Sequence, residues 1–166
     1  TGVQTCALPI SVPRPYNPEG VKIGVAMSSD LAKIGVEAQI VTYDWGTYLK
    51  RQRDQPDDMD LFQLGWTGDN GDPDNFLAVL FDGLASSSIR TQWHNAQYHK
   101  YMTQGKTTIS QAKRTKIYED ALQLIYDEVS VIPIAHSTVV WPAQKNVMNF
   151  KLHPTGSVRM KDVWLK

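Results

Sequence analysis

Between Gly65 and Phe76 the chain reads Gly65-Trp66-Thr67-Gly68-Asp69-Asn70-Gly71-Asp72-Pro73-Asp74-Asn75-Phe76: an apolar run ends, glycines bend the backbone, and carboxylates crowd beside an aromatic ring. Few backbones accommodate that order. Met59 to Trp66 carries Leu61, Phe62, Leu64 and Trp66 in a short apolar stretch bounded by turn residues, which predicts a buried strand. Asp72-Pro73-Asp74 predicts a helix opening. Asp72 can cap free backbone N–H groups, Pro73 suits the first helical position, and Asp74 sits at the positive end of the dipole. Phe76, Leu77, Leu80 and Phe81 then supply an apolar helix face. In open α/β sheets, ligands bind in loops beyond the carboxyl ends of strands. Asp69 occupies such a loop, where an acidic group favours a cationic ligand group.

On the amino-terminal side, Pro13 and Pro15 predict an extended segment from Ser11 to Asn17. Asn17 is placed to cap a helix whose first position is Pro18, with Ile23, Ala26, Met27, Leu31 and Ile34 at helical spacing, although Gly20 and Gly24 weaken it. Gly35 ends that helix, and Val36 to Tyr43 alternates as a strand. Trp45 to Arg53 predicts a short helix with Trp45, Tyr48 and Leu49 inward, followed by a polar loop around Pro56. Beyond Phe81, Ser86, Ser87 and Ser88 mark an exposed loop leading to Trp93. A helix is expected from Asn95 to Met102, broken by Gly105 to Thr108. Ser110 can cap a longer one bearing Ile117, Tyr118, Ala121, Leu122, Ile125 and Val129 on one face. Val131 to Trp141 is β-branched and apolar with Pro133 near its start, which predicts an edge or irregular strand. Alternating helices and strands imply an α/β unit.

Charge and ligand chemistry exclude several functions. Lys plus Arg equals Asp plus Glu at 17 each, so no bulk charge draws the chain to nucleic acid. The cluster Lys50, Arg51 and Arg53 reads as a solvated helix end. Asp69, Asp72 and Asp74 suggest calcium, but an EF-hand count from Asp69 puts Gly71 and Pro73 at ligand places. The glycines at 65, 68 and 71 match neither a dinucleotide fingerprint nor a phosphate loop. His94, His99, His136 and His153 have no zinc spacing, and Ser137 beside His136 lacks a nucleophile-elbow pattern. No catalytic residue, metal site or cofactor is therefore expected. Thr1 to Ile10 translates one reading frame of a common short-read sequencing adapter, ACT GGA GTT CAG ACG TGT GCT CTT CCG ATC. This segment, which contains the sole cysteine, Cys6, is expected to be non-native and without fixed structure.

Five blocks together resemble the periplasmic dipeptide receptors of ABC importers, within the extracellular solute-binding proteins of family 5. They are Arg14-Pro15-Tyr16-Asn17-Pro18, Ala32 to Val36, Thr42-Tyr43-Asp44-Trp45-Gly46 with Tyr48-Leu49-Lys50, Gly65 to Phe81, and Ala135-His136-Ser137-Thr138-Val139. The resemblance runs from about Val12 to Lys166, and it implies that residues 11–166 are a carboxy-terminal part of such a protein. The implied fold is a partial lobe of a two-lobed type II periplasmic binding protein of the cluster C kind: α/β, a mixed sheet with flanking helices. The implied site has Arg14 on the α-carboxylate of a dipeptide, Asp69 on its α-ammonium, and Trp66 as a cleft wall. The implied partners are a dipeptide or short peptide and an inner-membrane ABC permease, with no nucleic acid. The implied whole protein is a periplasmic monomer that does no chemistry. Asp82-Gly83, the stretch from Ser86 to Arg90, and Met27-Ser28-Ser29 depart from the dipeptide-receptor pattern. These departures leave glutathione, haem or antimicrobial-peptide receptors, or a peptide-processing enzyme, as alternatives.

Overall fold

Alternation organises the first strand. Cys6, Leu8 and Ile10 fall on one side of β1 (Gln4–Ser11), and Leu8 and Ile10 are fully buried. The computed structural model describes residues 4–85, 91–138 and 140–166. The expected Ser86–Ser88 loop lies outside the described residues, as does Val139. β1 pairs in parallel with β2 (Val36–Tyr43), in register from Gln4 opposite Val36 to Ser11 opposite Tyr43. Helix α1 (Gly20–Ala32) is the crossover between them, as parallel pairing requires. Its buried positions are Gly20 and Gly24. A Cβ at Gly24 would run into the end of Ile10, so the two glycines that weaken the helix in isolation let β1 pack close.

The segment expected to lack fixed structure is thus β1. Its apolar alternation gives it a core face whatever its origin, and Leu8 and Ile10 pack with Ala38, Met27, Leu31, Ile40 and Leu61. On the other edge of β1 the chain from Leu61 to Gln63 runs alongside it. Leu61 N donates to Ala7 O at 3.2 Å and Gln63 N to Pro9 O at 3.5 Å. The expected Met59–Trp66 strand does not become a full ladder, because Pro9 has no N–H to return and the Ala7 N–H goes to the Asp60 carboxylate at 2.9 Å. Tyr48 of α2 (Trp45–Asp54) is fully buried and donates its hydroxyl to Gln63 O.

A second core lies among α3 (Asp74–Phe81), α4 (Ala96–Thr107) and α5 (Gln111–Glu128), where Leu77, Ala78, Tyr98, Met102, Tyr118, Ala121 and Ile125 pack together. Asn95 caps α4 through Tyr98 N at 2.9 Å. Gly105 does not break this helix, which continues to Thr107. A Cβ there would come within 2.7 Å of the Tyr118 ring, so the glycine serves a close helix–helix approach. Ser110 stands at the cap position of α5 but its side chain makes no capping bond, and Leu122 and Val129 of the predicted inner face are exposed. Nor does the first helix open at Pro18: Asn17 turns its Nδ2 to the Gln63 amide 3.2 Å away, and the helix begins at Gly20.

The carboxy-terminal region pairs only β3 (Val147–Met148) with β4 (Trp164–Leu165), antiparallel. Val131 to Trp141, expected as an edge or irregular strand, contains no paired strand among the described residues; a strand exists only through its neighbour. Ile132, Ile134, Val140, Trp141, Met160 and Trp164 are consequently exposed. Exposed apolar surface and open edges promote association. The isolated 166-residue chain should therefore associate with rising concentration in sedimentation velocity; a monomer with one cooperative unfolding transition would contradict this.

Candidate functional site

Arg14 and Asn17 exchange backbone hydrogen bonds, Arg14 N to Asn17 O at 3.1 Å and Asn17 N to Arg14 O at 2.8 Å. The predicted extended segment is therefore folded back on itself, with Pro15 pre-setting the second position of a tight turn. The turn lays the Tyr16 ring against Gly65, where any Cβ would collide with it. It also places the Arg14 guanidinium over the Trp45 ring, 4.1 Å from its centroid. Arg14 Nε and the Tyr16 hydroxyl are buried without hydrogen-bond partners among the described residues. Trp45 is itself fixed at the start of α2, where Asp44 caps by accepting from Thr47 N at 3.1 Å. Hydrogen bonding from the Thr47 side chain, and then from its backbone N–H, holds the Asp44 carboxyl below its ordinary range.

From the other side, the loop between Trp66 and α3 is organised by Asn75. Its Oδ1 accepts from Trp66 Nε1 at 3.0 Å and from Asp69 N at 2.9 Å, and its Nδ2 donates to Asp69 Oδ2 at 3.2 Å. Arg14, Trp66 and Asp69, the three sequence-predicted residues, line one cavity of about 230 Å³ with Tyr16, Trp45, Leu64, Gly65 and Thr67. It thus holds a guanidinium, a carboxylate and aromatic walls. Trp45, Tyr16 and Asn75 had not been singled out. All three fall inside motif blocks, but the role of Asn75 is not legible locally because its partners lie six and nine residues earlier.

The remaining carboxylates of the loop do structural work. Asp72 Oδ1 accepts from Asp74 N at 2.9 Å, the predicted cap, and Pro73 has helical backbone angles (φ −55°, ψ −33°). Both Asp72 oxygens are also held by Arg114 of α5, at 2.7 and 2.8 Å. Arg114 in turn donates to Gly105 O at 2.7 Å and to the Tyr118 hydroxyl at 2.9 Å. The Arg114 hydrogen bond holds the Asp72 carboxyl below its ordinary range, whereas desolvation pushes Asp74 up despite Lys106 at 3.8 Å. His99 pairs through Nδ1 with the buried Asp82, 2.9 Å away. Among the described residues no group of three or more His, Cys, Asp or Glu is placed to hold a metal ion. No helix there is long and apolar enough to cross a membrane.

Residues 7–88 match the bacterial extracellular solute-binding proteins, family 5 Middle. Di/tripeptide-binding protein 1 of Pseudomonas aeruginosa is 40% identical over 158 residues, 94% of this chain and 28% of that protein. Heme-binding protein A of Haemophilus influenzae is 33% identical over 86% of this chain and 26% of its own. A dipeptide-binding protein from a Pseudoalteromonas species, solved in complex with Met-Leu, superimposes with a TM-score of 0.84 at 30% identity, covering 98% of this chain and 32% of that one. The chain belongs to the family 5 extracellular solute-binding proteins. Its fold is part of a periplasmic-binding-protein lobe, and it spans somewhat over a quarter of the length of the curated relatives it matches.

The Asp72–Arg114 pair yields a stability prediction. Arg114→Met should destabilise the full-length protein at neutral pH by about 1–2 kcal/mol, the lower part of the range for charged hydrogen bonds because both side chains are partly exposed. Asp72 has a lowered folded-state pKa, so its contribution is complete above the unfolded value and is lost as pH falls through the folded one. The difference between parent and variant should therefore shrink below about pH 4. Urea unfolding at neutral and acidic pH measures both; equal differences at the two pH values would contradict the assignment.

Proposed function

We propose that the protein is the substrate-binding component of a peptide ABC importer, holding a dipeptide between two lobes and delivering it to an inner-membrane permease. It works in the periplasm as a monomer and performs no chemistry. The observation that carries this reading is the joint presence of Arg14, Asp69 and Trp66 around one cavity. Arg14 receives the peptide α-carboxylate through its unpartnered Nε and its fork, while Trp45 stacks beneath it. Asp69 is exposed and receives the α-ammonium, and Trp66 packs the ligand without specifying its side chains. Opposite charges at the two ends measure the length of a zwitterion. A free amino acid leaves one of them desolvated and unpaired. The names of the peptide-binding relatives and the Met-Leu complex support the same reading.

Calorimetry on the full-length protein with a free, an N-acetylated and a C-amidated dipeptide tests it. Truncating one partner of a buried charge pair costs about 2–5 kcal/mol, so Asp69→Asn should weaken free-dipeptide binding roughly 30- to several-thousand-fold. For the N-acetylated ligand, already weak, the further loss should be small. Arg14→Gln should show the matching pattern with the C-amidated ligand. Haem belongs in the same series because one relative is named for binding it. Tight haem binding together with unchanged dipeptide affinity in both variants would overturn the peptide reading.

A further inference from the structure

We infer that Asn75 is the positioning residue of the ligand-ammonium site: its one amide locks the Trp66 wall, the loop backbone and the Asp69 carboxylate into a single rigid unit. The inference rests on the proposed role of Asp69 and extends it to a residue that makes no ligand contact itself. The three hydrogen bonds are at 2.9, 3.0 and 3.2 Å, and they use both acceptor sites of Oδ1 and one donor of Nδ2. Only a primary amide supplies that combination at this length of side chain. The carboxylate of Asp would keep both acceptor bonds but turn an oxygen toward Asp69. A hydroxyl has the same number of donors and acceptors but carries them on one atom, which cannot stand at both the Oδ1 and the Nδ2 positions.

Asn75 can do this because it is itself fixed. It lies in the first turn of α3, its backbone N donates to Asp72 O at 3.1 Å, and Asp72 is clamped by Arg114. A free carboxylate on an exposed loop would sample many rotamers, and ordering it on binding would reduce affinity. With Asn75 holding Oδ2, the second oxygen of Asp69 is oriented before the ligand arrives. The charged groups around it are Arg14 in the same cavity and Asp72, three residues on, which is neutralised by Arg114.

Asn75→Asp distinguishes this role from a merely structural one. The variant sets two carboxylates side by side, and such a pair holds a shared proton that a single carboxylate does not. An incoming ammonium must displace that proton. Free-dipeptide affinity of Asn75→Asp should therefore fall about tenfold between pH 7 and pH 5, while the parent changes less than about twofold. Asn75→Ser covers the case in which Asn75→Asp does not fold. It should weaken free dipeptide at least about fivefold yet leave N-acetylated dipeptide within about twofold. A flat pH profile in Asn75→Asp, or equal losses for both ligands in Asn75→Ser, would overturn the inference. Asp69→Asn in the same titrations separates the two ideas. If it leaves free-dipeptide affinity unchanged, the reading of Asp69 has failed; if it lowers affinity while the Asn75 variants behave as structural lesions, only the present inference has failed.

Discussion

The carboxylate of Asp72 ties the loop after Trp66 to the helical core that follows it. One of its oxygens caps α3 while both are gripped by the Arg114 fork, and Arg114 also holds the α4 carbonyl of Gly105 and the Tyr118 hydroxyl. The loop leaving the β1 neighbourhood is thereby tied to the helical core of α3, α4 and α5. Planar, bidentate pairing fixes direction as well as distance, which an ammonium in place of the guanidinium would not do. Asn75 inherits that rigidity one turn later and passes it to Trp66 and Asp69.

Three aspartates within six residues consequently have three different environments. Asp69 is exposed, and among the described residues its carboxylate is bonded to the Asn75 amide. Asp72 is consumed by the cap and by Arg114. Asp74 is partly desolvated at the opening of α3. On the opposite wall Arg14 is supported by the Trp45 face, and among the described residues no carboxylate pairs with it.

Much of this was legible in the residues. The loop and helix opening at Gly65 to Phe76, the alternating β2 and the long helix α5 follow from local pattern, and local pattern survives in the fold. The strand expected at Met59 to Trp66 and the one at Val131 to Trp141 did not become ladders, because pairing is a property of two segments. Pro9 withholds a donor from the first, and the second has no neighbour among the described residues. β1 shows the reverse: the alternation of Cys6, Leu8 and Ile10 was present in the sequence, but the adapter-like codons argued against giving it any structure. In the cavity, Arg14, Trp66 and Asp69 were reached through resemblance to a family, not through spacing. Asn75 and Trp45 became visible only when the Arg14–Asn17 turn and the Asp69 loop had been traced in space.

In the proposed complex one small zwitterion spans Asp69 and Arg14. The most direct measurement is a crystal structure of the full-length protein with a bound neutral dipeptide. The ligand's α-nitrogen should lie within about 3 Å of an Asp69 carboxylate oxygen and its carboxylate at a similar distance from the Arg14 guanidinium, with the Asn75 bonds to Trp66 and Asp69 retained. A dipeptide whose charged ends are held by other residues, with Asp69 bonded only within its own loop, would contradict it.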